Sequence, residues 1–344
     1  MKKSFRNLVI GICLIGIAAF SVGRLKSSTE QSEVLIDVAE ATEVAEVLDP
    51  AADEQIEVEE PLEEIKYGSK TLNIKNIRWD MYREAPYNEV GWCGEATIQM
   101  AGLYYGMYFP QRYIHDAGNA EHPDLYASEI SLAMKNIGMT YEKYEYDFSG
   151  DETVASSGDR YHGFDKYFDW FRSQLDQDNP IFVGIKRLPD KHPNWFADHF
   201  VLLVGYSDYS FAFNSNTGEG RIKWRYDQLS NNKHIGYSFV NHNGRRFSYA
   251  VTGMSYTADS YPVRFNLDEF LNEEEVALNG RVEGMEVGKN YTIMKFESLE
   301  KISQSELKAE DAELVIKFTA EEDVFEFTDT VEREKIYMYY CIEH

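Results

Sequence analysis

The spacing of apolar positions changes character along the chain. Between Gly94 and Tyr105, residues Ala96, Ile98, Met100, Ala101, Leu103 and Tyr104 form a largely apolar run that predicts a buried helix, with Gly106 placed to stop it. Phe164, Tyr167, Phe168, Phe171 and Leu175 follow the i, i+3, i+4, i+7, i+11 series of one helical face and end before Asn179-Pro180. That aromatic stripe belongs to a core. After it come short β-rich runs at residues 181–185, 200–204 and 209–213, bounded by polar turns, with residues 207–210 as a hairpin turn. Helices first and antiparallel strands after read as an α+β domain.

Beyond Met254 the pattern becomes one of short strands separated by acidic turns, at residues 263–267, 291–296, 314–318, 324–327 and 336–341. A small all-β sandwich fits. Within it, Met285-Glu286-Val287-Gly288-Lys289-Asn290-Tyr291 resembles the tyrosine corner of fibronectin type III domains, which implies an immunoglobulin-like sandwich.

The first residues follow neither pattern. Lys2, Lys3 and Arg6 precede an apolar run from Leu8 to Val22, and Arg24 and Lys26 follow it. The run is short for a full span of about 20 residues and suits a secretory h-region. Small residues near Ala19 and Gly23 suit cleavage, and the flanking positive charges suit an uncleaved N-terminal anchor. Either fate places the protein outside the cytoplasm, secreted or tethered at the cell surface. Residues 27–66 are rich in Glu, Asp, Ala and Val and read as an extended acidic linker, because like charges with little apolar area cannot condense. The expected organisation is therefore a signal or anchor at 1–26, the linker at 27–66, an α+β domain at 67–258 and a β domain at 259–344.

Composition narrows the function. The 34 basic and 59 acidic residues give a net charge of −25, which argues against a nucleic-acid partner, since phosphate binding needs clustered Lys and Arg. Once the signal segment is set aside, Cys93 and Cys341 remain, too few for a disulfide framework. His115, His122, His162, His192, His234 and His242 stand at no metal-ligand spacing with Cys or carboxylates, so neither a metal nor a cofactor is expected.

The chemistry concentrates in two motifs. Gly91-Trp92-Cys93-Gly94 opens the first helix, and Asp198-His199 opens a strand that runs through four apolar residues to Gly205-Tyr206. A thiol is a strong nucleophile near neutral pH only if its pKa is lowered, and a helix N-terminus with a neighbouring imidazolium lowers it. If residues 207–210 turn the chain back, a polar side chain near the end of the next strand comes beside His199. Asn214 continues the alternation through Phe211 and Phe213, and Asn216 is the alternative on the same face.

These residues, with Phe213-Asn214-Ser215, resemble the papain-like cysteine peptidases, in particular the bacteriocin-leader peptidase-like branch, over a little more than half the chain. The resemblance implies a papain-like domain in which Cys93 is the nucleophile, His199 the base and Asn214 the residue orienting the imidazole. Family members carry a glutamine a few residues before the nucleophile to hold the oxyanion. Here that stretch is Pro86-Tyr87-Asn88-Glu89-Val90, and Asn88 offers the same amide on a shorter arm. The implied activity is cleavage of a peptide or protein substrate, or acyl transfer to an amine. The contrasting expectation is a catalytically idle cleft used for peptide binding or adhesion.

Overall fold

The computed structural model describes residues 68–79, 91–119, 121–144, 164–188, 191–192, 197–229, 248–270, 274–297 and 307–344. The N-terminal apolar segment, the acidic linker and Asn88 lie outside them. Among the described residues no helix is long and apolar enough to cross a membrane.

The fold is mixed α+β. A seven-stranded antiparallel sheet combines β1 (Lys70–Thr71), β3 (Met139–Lys143), β4 (Ile181–Ile185), β5 (His199–Tyr206), β6 (Ser210–Asn214), β7 (Arg221–Arg225) and β8 (Ser248–Met254). Its path runs β3-β8-β4-β5-β6-β7, with β1 added to the end of β5. Every residue of β5 is buried, as expected of a central strand covered on both faces. Helix α1 (Cys93–Tyr104) packs on this strand, and α4 (Phe164–Asp176) also contacts it. Helices α2 (Gln111–Asn119) and α3 (Ala127–Asn136) pack on each other, and α2 packs on α1. The short α5 (Tyr226–Leu229) follows β7.

Local sequence explains these elements. In α4, Phe164, Tyr167, Phe168, Phe171 and Leu175 are all buried, and the rings of Phe168 and Phe171 meet Phe211 of β6 edge-on. Helix α1 has almost no polar face, because it is enclosed by both the sheet and its neighbours. It stops where expected: the N–H groups of Tyr105 and Gly106 bond to the carbonyls of Gly102 and Leu103, and Gly106 takes φ +79°. Gly205 has a different duty. A Cβ there would lie 2.6 Å from the Lys70 carbonyl oxygen, so β1 can lie against β5 only over a glycine.

The remaining strands form two sheets that face one another. β9 (Val263–Phe270), β10 (Glu275–Glu283) and β13 (Val324–Glu332) make one, in the order β13-β10-β9. β11 (Asn290–Glu297), β12 (Leu314–Thr319) and β14 (Tyr337–Glu343) make the other, joined by β2 (Met107–Tyr108) in the order β12-β11-β14-β2. Phe265 packs on Tyr339 and Phe318 on Phe325 across the gap, with ring centres 4.3 and 3.8 Å apart. Tyr291 is fully buried, and its hydroxyl accepts the N–H of Glu286 at 2.9 Å. That bond has the form of a tyrosine corner. β10 has no counterpart among the strands expected from sequence, because Gly280 takes one of its inward positions and breaks the apolar series of Val276, Leu278 and Val282.

β2 belongs by sequence to the first half of the chain yet completes a sheet of the second. Tyr108 pairs with Tyr337, Met107 pairs with Met338, and the Tyr108 hydroxyl donates to the Arg333 carbonyl at 2.9 Å. Residues 63–344 accordingly form one compact unit. Gly106 sits at the junction, where a Cβ would lie 3.2 Å from the carbonyl oxygens of both Tyr339 and Val263. Gly106→Ala is expected to cost about 1–2 kcal/mol in urea unfolding, because an L side chain resists positive φ. Gly218→Ala, with nothing within 4 Å of the added carbon, is expected to change stability by no more than a few tenths of that.

Candidate active site

Cys93 is the first residue of α1 and His199 the first residue of β5. Three contacts bring these two starts together. The Phe200 N–H lies within hydrogen-bonding reach of the Cys93 thiol. The Thr97 hydroxyl donates to the Cys93 carbonyl at 2.7 Å and lies 3.4 Å from that of Phe200. The Asn216 amide nitrogen lies 3.2 Å from the Cys93 carbonyl oxygen, 2.6 Å from the Phe200 carbonyl oxygen and 2.9 Å from the Thr97 hydroxyl. Two carbonyl neighbours fix which end of the amide is nitrogen, since only the nitrogen can donate. Trp92 caps α1 without a side-chain hydrogen bond; the Gly94 N–H bears on the Cys93 thiol and the Glu95 N–H on its own carboxylate.

His199 is buried, and its Nε2 lies 3.0 Å from the Ser215 carbonyl oxygen. A carbonyl accepts only, so Nε2 carries the hydrogen and Nδ1 holds the lone pair. The imidazole is therefore oriented by a backbone carbonyl. Asn214, expected in that role, is committed elsewhere: its amide donates to the Ile74 carbonyl at 2.8 Å and accepts from Arg221 Nε at 3.1 Å. Strand register explains the difference. Leu202 pairs with Asn214, so β6 ends before it comes opposite His199. Asn216 is not on the imidazole either, because its φ of +50° breaks the alternation that would carry it there. Asn76 helps hold this turn, its Oδ1 accepting the Asn216 N–H at 2.7 Å. Among the described residues no hydrogen bond joins His199 to Cys93, Asn214 or Asn216.

The electrostatics also depart from expectation. Burial pushes the Cys93 thiol up to about 12, with the charges of Glu95 and Asp124 adding to the rise and the Phe200 and Gly94 N–H groups opposing it. Burial likewise lowers His199 to about 4, partly offset by the bond to Ser215. Loss of hydration outweighs the helix N-terminus, and the resting pair is neutral thiol with neutral imidazole. Asp198, beside His199, accepts the N–H groups of Arg187 and Leu188 at 2.6 and 2.9 Å and so fastens the turn after β4.

A second polar cluster lies under Cys93. Glu95 is fully buried; its Oε1 lies 3.0 Å from His115 Nδ1 and accepts the Leu125 N–H at 3.1 Å. His115 stacks on Trp92 with ring centres 5.2 Å apart, and the Trp92 indole N–H donates to the Pro123 carbonyl at 2.9 Å. Further out, Glu129 accepts the Tyr126 N–H at 2.8 Å and the Asn119 amide at 2.7 Å, with His122 Nδ1 at 2.5 Å. These partners are 20 and 7 residues apart for the two histidines, so no local spacing announces them. Glu95, two positions after Cys93, is the one sequence signal. No group of three or more metal-ligating side chains occurs among the described residues. Cys341 is buried in β14, remote in sequence from this cluster, and is a free thiol like Cys93.

Three outcomes follow. Asn214→Leu is expected to lower stability by about 1–3 kcal/mol, through the stranded Ile74 carbonyl and Arg221, while the His199 titration followed by NMR keeps its low value. A further fall of that value would return Asn214 to the orienting role, since an acceptor on the ring N–H raises the imidazole pKa. Because the folded imidazole takes up a proton less readily than the unfolded one, stability is present above pH 6.5 and lost as pH falls toward 4. The loss attributable to His199 is about 3 kcal/mol, read as the difference between wild type and His199→Gln in pH-dependent unfolding. Raising pH from 9 toward 12 destabilises through Cys93 by the opposite sign, the unfolded thiol ionising first.

No protein-family model, no curated protein and no solved structure matches this chain.

Proposed function

We propose that the protein is an exported papain-like cysteine peptidase, acting on a peptide or protein substrate. The observation that carries the reading is the meeting of α1 and β5. The thiol at the start of the helix lies within reach of the Phe200 N–H, and the adjoining His199 has its hydrogen directed to Ser215 and its lone pair on Nδ1. Nδ1 takes the thiol proton as sulfur attacks the scissile carbonyl, and the resulting imidazolium hands that proton to the departing amine. Water, deprotonated by the same nitrogen, then releases the acyl group; an amine in its place makes the reaction a transpeptidation. The first-turn N–H groups of α1 are donors for the oxyanion, with Asn88 as the proposed side-chain donor. Starting from neutral partners, the site activates its thiol during attack rather than storing a thiolate.

The raised thiol and lowered imidazole favour one competing reading, an idle cleft that binds peptides without cutting them. A peptidyl epoxide separates the two. Expected is labelling of Cys93 in wild type at a rate that falls at least about a hundred-fold in His199→Ala, with the acid limb near pH 4 rather than 6.5, since a protonated imidazole cannot accept the thiol proton. Equal labelling of both proteins, or labelling of neither, leaves the binding role.

A further inference from the structure

Three carboxylates cluster near the start of α1, and two of them are consumed internally. Glu95 holds His115 and the Leu125 N–H; Glu129 holds the Tyr126 N–H, Asn119 and His122. The third, Asp124, has no hydrogen bond or ion pair among the described residues, yet the residues on both sides of it are held. On one side of it the Pro123 carbonyl is bound by the Trp92 indole, and on the other the Leu125 N–H is bound by Glu95. Leu125 also packs against the start of the helix, its Cβ 3.5 Å from where a Cβ on Gly94 would stand. Asp124 is thus strapped to the first turn of α1 by contacts to the residues immediately around Cys93. Its charge is felt at the thiol. The side chain is only partly exposed, and burial raises its pKa against the weaker pull of His115 and His122, with Glu129 adding to the rise.

A half-buried carboxylate held rigidly and given no partner among the described residues is costly in isolation and is relieved by an incoming cation. We propose that Asp124 forms a subsite for a positive charge beside Cys93, so that the substrate carries a lysine or arginine side chain next to the scissile bond. The inference rests on the reading of Cys93 as nucleophile and supplies its substrate class. The net charge of −25 acts in the same direction at long range, drawing basic peptides toward the protein. Asp124 is a specificity-determining residue here, and takes no part in moving the proton.

Two epoxide probes differing only in a lysine or a norleucine at the residue next to the warhead test this, with Cys93 labelling followed by mass spectrometry. Expected is labelling at least about ten-fold faster by the lysine probe, a ratio that falls toward one between low and high salt as the pair is screened, and that falls to one in Asp124→Asn. Asp124→Lys is expected to reverse the order for a matched glutamate probe. Equal rates for the two probes on wild type, or a lysine preference that survives intact in Asp124→Asn, overturn the subsite and leave the peptidase reading standing. Failure of both probes to label wild type, while iodoacetamide alkylates Cys93 in unfolded protein, overturns the peptidase reading and the subsite with it. Asp124 makes no hydrogen bond among the described residues, so its replacements are expected to unfold at the wild-type urea midpoint.

Discussion

The candidate site depends on one amide. Asn216 Nδ2 sits between the carbonyls of Cys93 and Phe200 and the hydroxyl of Thr97, and so binds the first turn of α1 to the first residues of β5. All these groups are buried or partly buried, where an unmet carbonyl costs about 1–3 kcal/mol. The left-handed backbone at Asn216 is tolerated because asparagine is among the few side chains that accept it. The same turn sends the Ser215 carbonyl to the imidazole. One short stretch, 214–216, therefore performs three tasks: Asn214 ties β6 to the Ile74 segment, Ser215 orients His199 and Asn216 fixes the distance from helix to strand.

Much of this architecture is written in periodicity. Helices α1 and α4 and strands β4, β5 and β6 stand within a residue or two of where their apolar spacing puts them, since each contributes a buried face large enough to dominate its local pattern. The positions of Cys93 and His199 at element starts are equally legible, being fixed by the same boundaries. Short elements such as α2, β3 and β7 offer too few positions for any pattern to dominate its surroundings. The choice of orienting group was illegible for a deeper reason. Alternation predicts which way a side chain points, but not where a partner strand stops, and a backbone carbonyl has no residue type to betray it. Nor does the sequence reveal that burial overrides the helix terminus at Cys93, because burial is a sum over residues far apart in the chain.

The two polar clusters differ in a way that bears on the chemistry. Glu95 and His115 are both fully enclosed, so each needs the other, and removal of one would leave a buried polar group without its principal partner. Their contact anchors α2 to α1 directly beneath Trp92. The surface ion pairs, such as Arg225 with Asp227 and Lys335 with Glu332, are exposed and contribute little to stability by comparison. Rigidity around Cys93 thus comes from a few desolvated groups rather than from the many charges on the surface.

β2 closes a sheet whose other strands lie far along the chain, with the Tyr108 hydroxyl bonded to a carbonyl 225 residues away. Loop closure over such a separation is entropically costly and slow. During synthesis, the segment after α1 must wait for almost the entire remaining chain before Tyr337–Glu343 reaches it. Until then the end of α1 and the edge of β14 are exposed apolar and hydrogen-bonding surface, open to association with other chains. Docking of that edge therefore cannot precede completion of the chain, and the interval before it is the one in which the nascent protein is vulnerable.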